Sequence, residues 1–172
     1  MLFLTLFVVI SGLFCHVSYR QRPRPGDVRP LGLIIPVQGI DNLENASPFG
    51  SPRQNGRRLH TGLDIMAEEG TPVVAPQQGT VVYIGSGKSA GKYIYLLDYR
   101  GEYLYEFLHL QKTARGLFKG QKVRQGQVIG FVGKTGNARH TAPHLHFAIA
   151  RLMQPHQVNR ERRYLDPALF LP

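Results

Sequence analysis

The sequence predicts a mainly β protein, an antiparallel sandwich or open barrel, and three observations support this. The chain of 172 residues holds 19 glycines and 12 prolines, which punctuate short apolar runs. Hydrophobic residues make up 42% and charged residues 19%, a composition that excludes a disordered chain. No window of the sequence has the apolar spacing of an amphipathic helix. The length allows one ordinary domain with a short appendage.

Six apolar runs after residue 70 have the length and the flanking turn residues of β-strands. They cover residues 73–75, 80–84, 92–99, 102–109, 128–132 and 145–150. The connections between them are short, which favours antiparallel neighbours. Arg100-Gly101 lies between two of the runs and predicts a hairpin turn there.

The N-terminal segment is apolar and predicts a helix. Residues 2–15 contain almost no polar side chain, and as a helix they span roughly 21 Å, less than the roughly 30 Å of a bilayer core. We interpret residues 1–17 as a signal peptide or membrane anchor, with a buried helix as the alternative. Residues 20–30 contain four arginines and three prolines. We therefore expect residues 18–45 to form a basic, proline-rich linker that leads into a domain at residues 46–172.

The charge balance points to an anionic partner. Lys and Arg number 21 against 11 Asp and Glu, for a net charge of +10. Nucleic acid, acidic lipid and an anionic wall polymer all fit this charge. The basic residues are spread over linker, loops and tail without a recognised nucleic-acid motif, so no nucleic-acid partner is expected. A single cysteine excludes an intramolecular disulfide and a multi-cysteine zinc site.

The strongest chemical motif is His144-Leu145-His146. On a strand, residues two apart point to the same face, so both imidazoles would stand side by side. Leu145 and Phe147 would then enter the core. Imidazoles serve as metal ligands and proton carriers, but paired surface histidines also occur by chance.

A second motif is His60-Thr61-Gly62-Leu63-Asp64. A spacing of four residues fits one face of a helix, but Gly62 and Ile65 favour a loop that runs into a strand. In that arrangement His60 and Asp64 converge on one point. Imidazole nitrogen and carboxylate oxygen are both ligands for Zn²⁺.

A third candidate is His109, at the end of the run 102–109. Strict alternation places it on the same face as Tyr105 and Phe107, with Glu106 on the opposite face. A β-bulge would reverse this assignment.

Together these motifs describe a three-ligand metal site with a fourth position open, which is the catalytic and not the structural pattern. His109 and His144 would remain unligated beside it. The sequence lacks His-Glu-x-x-His, whose glutamate is the usual general base of helical zinc proteases. Proton transfer would therefore come from imidazole, which titrates near neutral pH.

The combination of His60-x-x-x-Asp64 and His144-x-His146 resembles the lysostaphin-type (LytM-like) zinc metalloendopeptidases, which cut the peptide cross-links of bacterial peptidoglycan. The resemblance covers roughly residues 47–150. It extends to Phe49-Gly50, to the Gly-Thr-Pro-Val of residues 70–73, to the Gly-Thr-Val of residues 79–81 and to the block 126–147.

This resemblance implies a fold, a cofactor and roles for five residues. His60, Asp64 and His146 would bind Zn²⁺, and His109 and His144 would serve catalysis. The protein would be a metalloprotease that hydrolyses stem or bridge peptides of peptidoglycan by attack of a zinc-activated water. It would act in the cell envelope, in the periplasm or outside the cell, with residues 1–17 as its tether if they are retained.

A different function is available on the same fold. Some relatives have lost the metal site and regulate a cell-wall amidase without catalysis of their own. All five chemical positions are present in this chain, which favours the enzyme.

Overall fold

The computed structural model describes residues 6–10, 13–17, 31–53 and 55–172. In chain order the strands are β1 (Leu6–Ile10), β2 (Leu13–Val17), β3 (Pro52–Arg53), β4 (Arg58–Leu59), β5 (Leu63–Met66), β6 (Pro72–Val74), β7 (Gly79–Gly87), β8 (Gly91–Asp98), β9 (Tyr103–Leu110), β10 (Lys112–Thr113), β11 (Lys122–Val123), β12 (Val128–Phe131), β13 (His144–Leu152) and β14 (Arg162–Leu165). Two short 3-10 helices cover Gly136–His140 and Pro167–Leu169. Within these described ranges there is no α-helix, in line with the mainly β prediction.

The six predicted strands are confirmed as β6, β7, β8, β9, β12 and β13, with ends that differ by one to three residues. The predicted hairpin is also confirmed, because β8 and β9 pair antiparallel around Gly101. Gly101 has a φ of 74°, a left-handed conformation that glycine adopts without strain.

One large sheet carries most of the structure. Its strand order is β1-β2-β14-β13-β9-β8-β7-β11, and β5 pairs with β13 to make nine strands. A three-stranded sheet, β10-β12-β6, and the small hairpin β3-β4 complete the fold. The described pairs are antiparallel except for one parallel contact between β14 and β2. This confirms the predicted antiparallel class.

The main core lies between the large sheet and the three-stranded sheet. Phe147 and Ile94 from the first share one buried cluster with Val73 and Ile129 from the second. A smaller cluster around Leu104 lies on the opposite face of the large sheet. Strand β13 therefore sends alternate side chains to the two faces of the large sheet, with Leu145, Phe147 and Ile149 in the main core and His144 and His146 on the other face.

The helix predicted for the N-terminal segment is not confirmed, because Leu6–Ile10 and Leu13–Val17 are strands that pair antiparallel. The run Val8-Val9-Ile10 explains the difference, since β-branched side chains favour extended backbone, and Gly12 disfavours a continuous helix. The described part of the chain contains no helix with the length and hydrophobicity of a membrane span. Residues 1–5, 11–12 and 18–30 lie outside the described residues, so a leader or anchor at 1–17 stays a prediction.

The second half of the predicted linker packs on the domain. Leu33, Ile35 and Val37 are buried in the main core, and the backbone of this segment bonds to β6 through Val74 N and Pro36 O at 3.0 Å. The first half of the linker, residues 18–30, lies outside the described residues. The division of the chain at residues 17 and 45 therefore remains a prediction.

Candidate metal centre and its neighbouring histidines

Two paired strands bring the first two site residues together. Strands β5 and β13 run antiparallel, with Asp64 directly opposite His146 and Met66 opposite His144. Side chains of directly opposed residues lie on the same face, so the carboxylate and the imidazole are neighbours. Leu145 and Phe147 point into the core, as the alternation predicted.

His60 reaches the same point from the loop that precedes β5. Its backbone N–H donates to Ser51 O and its carbonyl accepts from Gly50 N, both at 2.9 Å. These bonds hold it in an extended segment instead of a helix, which confirms the predicted loop into a strand. The residue is buried.

The three predicted ligand residues therefore meet in space. His60 Nε2 lies 2.9 Å from Asp64 Oδ1, and His146 Nδ1 lies 2.8 Å from the same oxygen. The two imidazole nitrogens are 3.0 Å apart. Zinc–ligand bonds of about 2.0–2.1 Å in a tetrahedral site put neighbouring ligand atoms roughly 3.3 Å apart. The donor set fits a small divalent cation after an adjustment of a few tenths of an ångström.

The protonation states also suit a cation. His60 Nδ1 lies 2.8 Å from Pro48 O and donates its hydrogen there, which turns Nε2 toward Asp64 and His146. Burial lowers the pKa of His146, so its imidazole is neutral at neutral pH. Burial alone would raise the pKa of Asp64, but hydrogen bonds with His146 and His60 outweigh it and hold that pKa far below its ordinary value. A cation bound here would displace the hydrogens that now join these three atoms.

Two further histidines border this group. His109 Nδ1 lies 3.0 Å from Thr135 O, and His144 Nδ1 lies 2.8 Å from Ala142 O. Each Nδ1 donates to its carbonyl, so Nε2 is the nitrogen that each ring leaves for other contacts. His144 Nε2 lies 3.9 Å from Asp64 Oδ1, at the edge of the ligand group.

His109 occupies the face that strict alternation did not predict. Its ring centroid is 5.2 Å from that of His144 and 5.9 Å from that of His146, while Phe107 packs in the core. The pairing of β8 and β9 contains an irregularity beside the end of β9, and His109 has a φ of 64°. The predicted shared face with Tyr105 and Phe107 is therefore wrong, because a bulge turns the imidazole over to the site.

The surroundings of His109 keep it neutral. Burial lowers its pKa to about 4, with help from the nearby imidazoles of His146 and His144. A positive charge on this buried ring would be poorly hydrated. It would also lie beside the imidazoles of His146 and His144, which disfavour it. At neutral pH the ring is a hydrogen-bond acceptor at Nε2.

Sequence reasoning did not identify Arg53. Its Nη2 lies 2.6 Å from Asp64 Oδ2, on the side of the carboxylate away from the two imidazoles. No spacing rule connects Arg53 with the ligand motif, because the contact depends on how the β3-β4 hairpin folds. The carbonyls of Pro48, Thr135 and Ala142, which orient three of the imidazoles, carry no side-chain signal at all.

The fold and the site together define a class. An antiparallel sheet carries a His-Asp-His group that could hold a metal ion, with two further imidazoles beside it, and no member of this group lies on a described helix. This is the architecture of a β-sheet metallopeptidase. The chain belongs to Peptidase family M23, whose match covers residues 58–162.

Individual relatives agree with the family. The DD-carboxypeptidase/endopeptidase Mpg of Neisseria meningitidis serogroup B is 42% identical over 126 residues, which are 67% of this chain and 28% of that protein. The L-Ala--D-Glu endopeptidase of Bacillus subtilis is 40% identical over 109 residues, which are 60% of this chain and 33% of that protein. The chain thus spans a third or less of the length of these two relatives.

Solved structures give the same result. The catalytic domain of the antimicrobial peptidase lysostaphin from Staphylococcus simulans matches with a TM-score of 0.59 and 30% identity, over 73% of this chain and 92% of that one. A zinc-containing peptidase from Vibrio cholerae matches with a TM-score of 0.56 and 31% identity, over 70% of this chain and 34% of that one. The lysostaphin-type resemblance seen in the sequence is confirmed.

Proposed function

We propose that this protein is a zinc-dependent endopeptidase that hydrolyses peptide cross-links of bacterial peptidoglycan. One observation supports the proposal above all: two imidazole nitrogens and a carboxylate oxygen lie within 3.0 Å of one another. Two buried imidazoles with Nε2 free stand beside them. The names of the relatives, DD-carboxypeptidase/endopeptidase and L-Ala--D-Glu endopeptidase, favour peptidoglycan as the substrate.

His60 Nε2, Asp64 Oδ1 and His146 Nδ1 would hold the zinc. When bound, zinc supplies Lewis acidity, which acidifies water and polarises a substrate carbonyl. The chain's own contribution is to hold these three atoms pre-arranged. The hydrogen bond from His60 Nδ1 to Pro48 O at 2.8 Å does this for one of them.

His144 is the proposed proton carrier. The hydrogen bond from its Nδ1 to Ala142 O directs the lone pair of Nε2 toward the ligand group, 3.9 Å from Asp64 Oδ1. Nε2 would take the proton of the attacking water and hand it to the departing amine. The imidazole returns to its starting tautomer because the Nδ1 hydrogen never moves.

His109 is proposed to stabilise the charge that develops on the substrate carbonyl oxygen. The neutral ring presents a lone pair at Nε2, so it donates to an oxyanion only after Nε2 takes up a proton from the solvent. Negative charge beside an imidazole raises its pKa, which opposes the burial that lowers the pKa of His109 in the free protein. The ring would then act as a hydrogen-bond donor at the stage when one is needed.

The proposed substrates are the stem or bridge peptides of the wall, and the proposed location is the cell envelope, periplasmic or extracellular. A net charge of +10 suits a polyanionic envelope. Residues 1–17 are proposed as the leader or tether, and residues 46–172 as the catalytic domain.

The test combines metal analysis with digestion of purified sacculi. The unchanged protein should bind one zinc and release defined muropeptides, identified by mass spectrometry, and a chelator should stop the release. His60→Ala and Asp64→Ala should lose the metal. His109→Asn should keep zinc and lose most turnover; asparagine is chosen because it tolerates the left-handed backbone at this position.

The same assay separates the alternative function. A zinc-loaded protein that releases no muropeptide by itself but increases the activity of a purified cell-wall amidase would be a regulator. Full turnover in His109→Asn would exclude the catalytic role of that residue and leave the metal site intact.

A further inference from the structure

We infer that Arg53 is a positioning residue that turns one oxygen of Asp64 toward the metal site and keeps the other away from it. The inference rests on the proposed metal site but does not depend on peptidoglycan as the substrate. Arg53 lies in the short strand β3, outside the ligand motif.

The two carboxylate oxygens of Asp64 have different partners. Oδ1 faces the two imidazoles at 2.8 and 2.9 Å. Oδ2 accepts a hydrogen bond from Arg53 Nη2 at 2.6 Å, the length of a charge-assisted bond. The carboxylate therefore offers one oxygen to a metal and has the other occupied.

The arginine is held by a second contact. Its Nη2 donates to Ser47 Oγ at 3.0 Å, so both hydrogens of this nitrogen are used. Ser47 and Asp64 are themselves joined by two backbone hydrogen bonds of 3.0 and 3.1 Å. Arg53, Ser47 and Asp64 form a closed group, which limits rotation of the carboxylate.

The same nitrogen lies 3.1 Å from His60 Nδ1. Because the hydrogen of Nδ1 is directed at Pro48 O and both hydrogens of Nη2 have acceptors, this is a packing contact. The guanidinium thus lies behind two of the three ligands, on the side opposite to the metal position. Its side chain is 33% exposed against 13% for Asp64, so the arginine is the more solvent-exposed partner of the pair.

Charge alone does not account for the arrangement. Lysine would supply a cation on a flexible stem, whereas the planar guanidinium fixes the direction of its hydrogen bonds. Removal of Arg53 would leave Oδ2 free to rotate toward the metal. The carboxylate of Asp64 would then bind a metal through both oxygens, or through either oxygen in a variable orientation. The coordination number or geometry of the metal would change.

Substitution of cobalt(II) for zinc reports a change in the coordination of the metal directly. The visible absorption of bound Co²⁺ depends on coordination number, and zinc affinity is measured separately by competition with a chromophoric chelator. Arg53→Ala should weaken zinc binding by about tenfold or more and change the intensity of the cobalt bands. Arg53→Lys should recover part of the affinity but keep the altered spectrum.

Arg58 provides the matched control. It is the cross-strand partner of Arg53 in the same hairpin and is exposed, so Arg58→Ala removes an equal charge without touching the carboxylate. It should match the unchanged protein in affinity and spectrum.

Added guanidinium ion should restore the original cobalt spectrum to Arg53→Ala, which a purely structural role would not allow.

Three results overturn the inference alone. The first is Arg53→Ala with the original spectrum and affinity, which leaves the proposed function standing if the unchanged protein binds one metal and digests sacculi. The second is an equal loss in Arg58→Ala. The third is a loss in Arg53→Ala that accompanies a lowered melting temperature and that guanidinium does not reverse. An unchanged protein that binds no metal overturns the proposed function, and the inference with it.

Discussion

At the scale of single residues, the position of His146 depends on a glycine. A Cβ atom at Gly62 would lie 2.8 Å from His146 Nε2 and 2.5 Å from Phe147 O. Neither distance is tolerated in a packed protein, and the carbonyl belongs to the central strand. The small size of Gly62, between His60 and Asp64, lets His146 approach these two residues.

We therefore expect Gly62→Ala to move the imidazole of His146 and weaken metal binding. The overpacking should lower the free energy of unfolding by about 1–3 kcal/mol. Urea denaturation of the metal-free protein and zinc titration measure the two effects. Gly87→Ala is the control, because a Cβ at Gly87 meets nothing within 4 Å; equal effects in both variants would contradict the steric explanation.

His109 gives a pH dependence to the metal-free protein. Its pKa is about 4 in the folded state, lowered by burial and by His146 and His144, against an ordinary value of 6.5. As the pH falls from 6.5 to 4, the unfolded chain gains a proton that the folded chain does not. Above pH 6.5 this group does not reduce the free energy of unfolding. Between pH 6.5 and pH 4 it lowers that free energy progressively, by roughly 3 kcal/mol in all.

Urea denaturation in the presence of a chelator, at steps between pH 7 and pH 4, measures this loss. His109→Asn should lose less stability over the window than the unchanged protein, because the variant lacks the titrating group. Parallel pH profiles for the two proteins would show that His109 does not supply the dependence.

At the scale of elements, strand β13 connects the site to the core. It pairs with β9 on one side and with β5 and β14 on the other. His144 and His146 alternate with Leu145 and Phe147, and the last of these stacks near Tyr105 with ring centroids 6.2 Å apart. Core packing on one face of β13 thus fixes the position of the two imidazoles on its other face.

Phe147→Ala should destabilise the protein by about 3–5 kcal/mol, because it leaves a cavity at a fully buried position. Metal affinity should fall as well, since the strand that carries His146 loses its anchor. Chemical denaturation and zinc titration test both. Phe118→Ala removes the same ring from a site that is 61% exposed and should change stability by no more than about half a kcal/mol.

At the scale of the whole molecule, the site joins distant parts of the chain. Residues 48, 53, 60, 64, 109, 135 and 146 contribute ligands, neighbours or orienting carbonyls. A metal that binds only the folded arrangement stabilises the fold by mass action. Unfolding must release it, so metal binding and global stability are coupled.

Chelation should therefore lower the melting temperature. With free zinc at about a thousand times its dissociation constant, the stabilisation is about 4 kcal/mol, which corresponds to a shift on the order of 10 °C for a chain of this size. Scanning calorimetry with and without chelator measures it. Asp64→Ala should show no such shift, and an equal shift in that variant would mean that the chelator acts elsewhere.

The sequence by itself determined the antiparallel class and six of the strands, and it singled out the five candidate site residues. This information is local: apolar alternation, turn residues and the spacings His60-x-x-x-Asp64 and His144-x-His146 are readable without a partner strand. The face of β13 on which the two histidines lie follows from the same alternation.

Only the tertiary structure decided how these residues are oriented. The bulge that turns His109 to the site arises from the pairing of β8 with β9, and the contact of Arg53 with Asp64 arises from the placement of a hairpin. The carbonyls that select the imidazole tautomers belong to loops that adopt their paths only after the sheets pack. Such contacts join residues far apart in the chain, and they form only when the whole fold is assembled. They therefore produce no periodic pattern in the sequence.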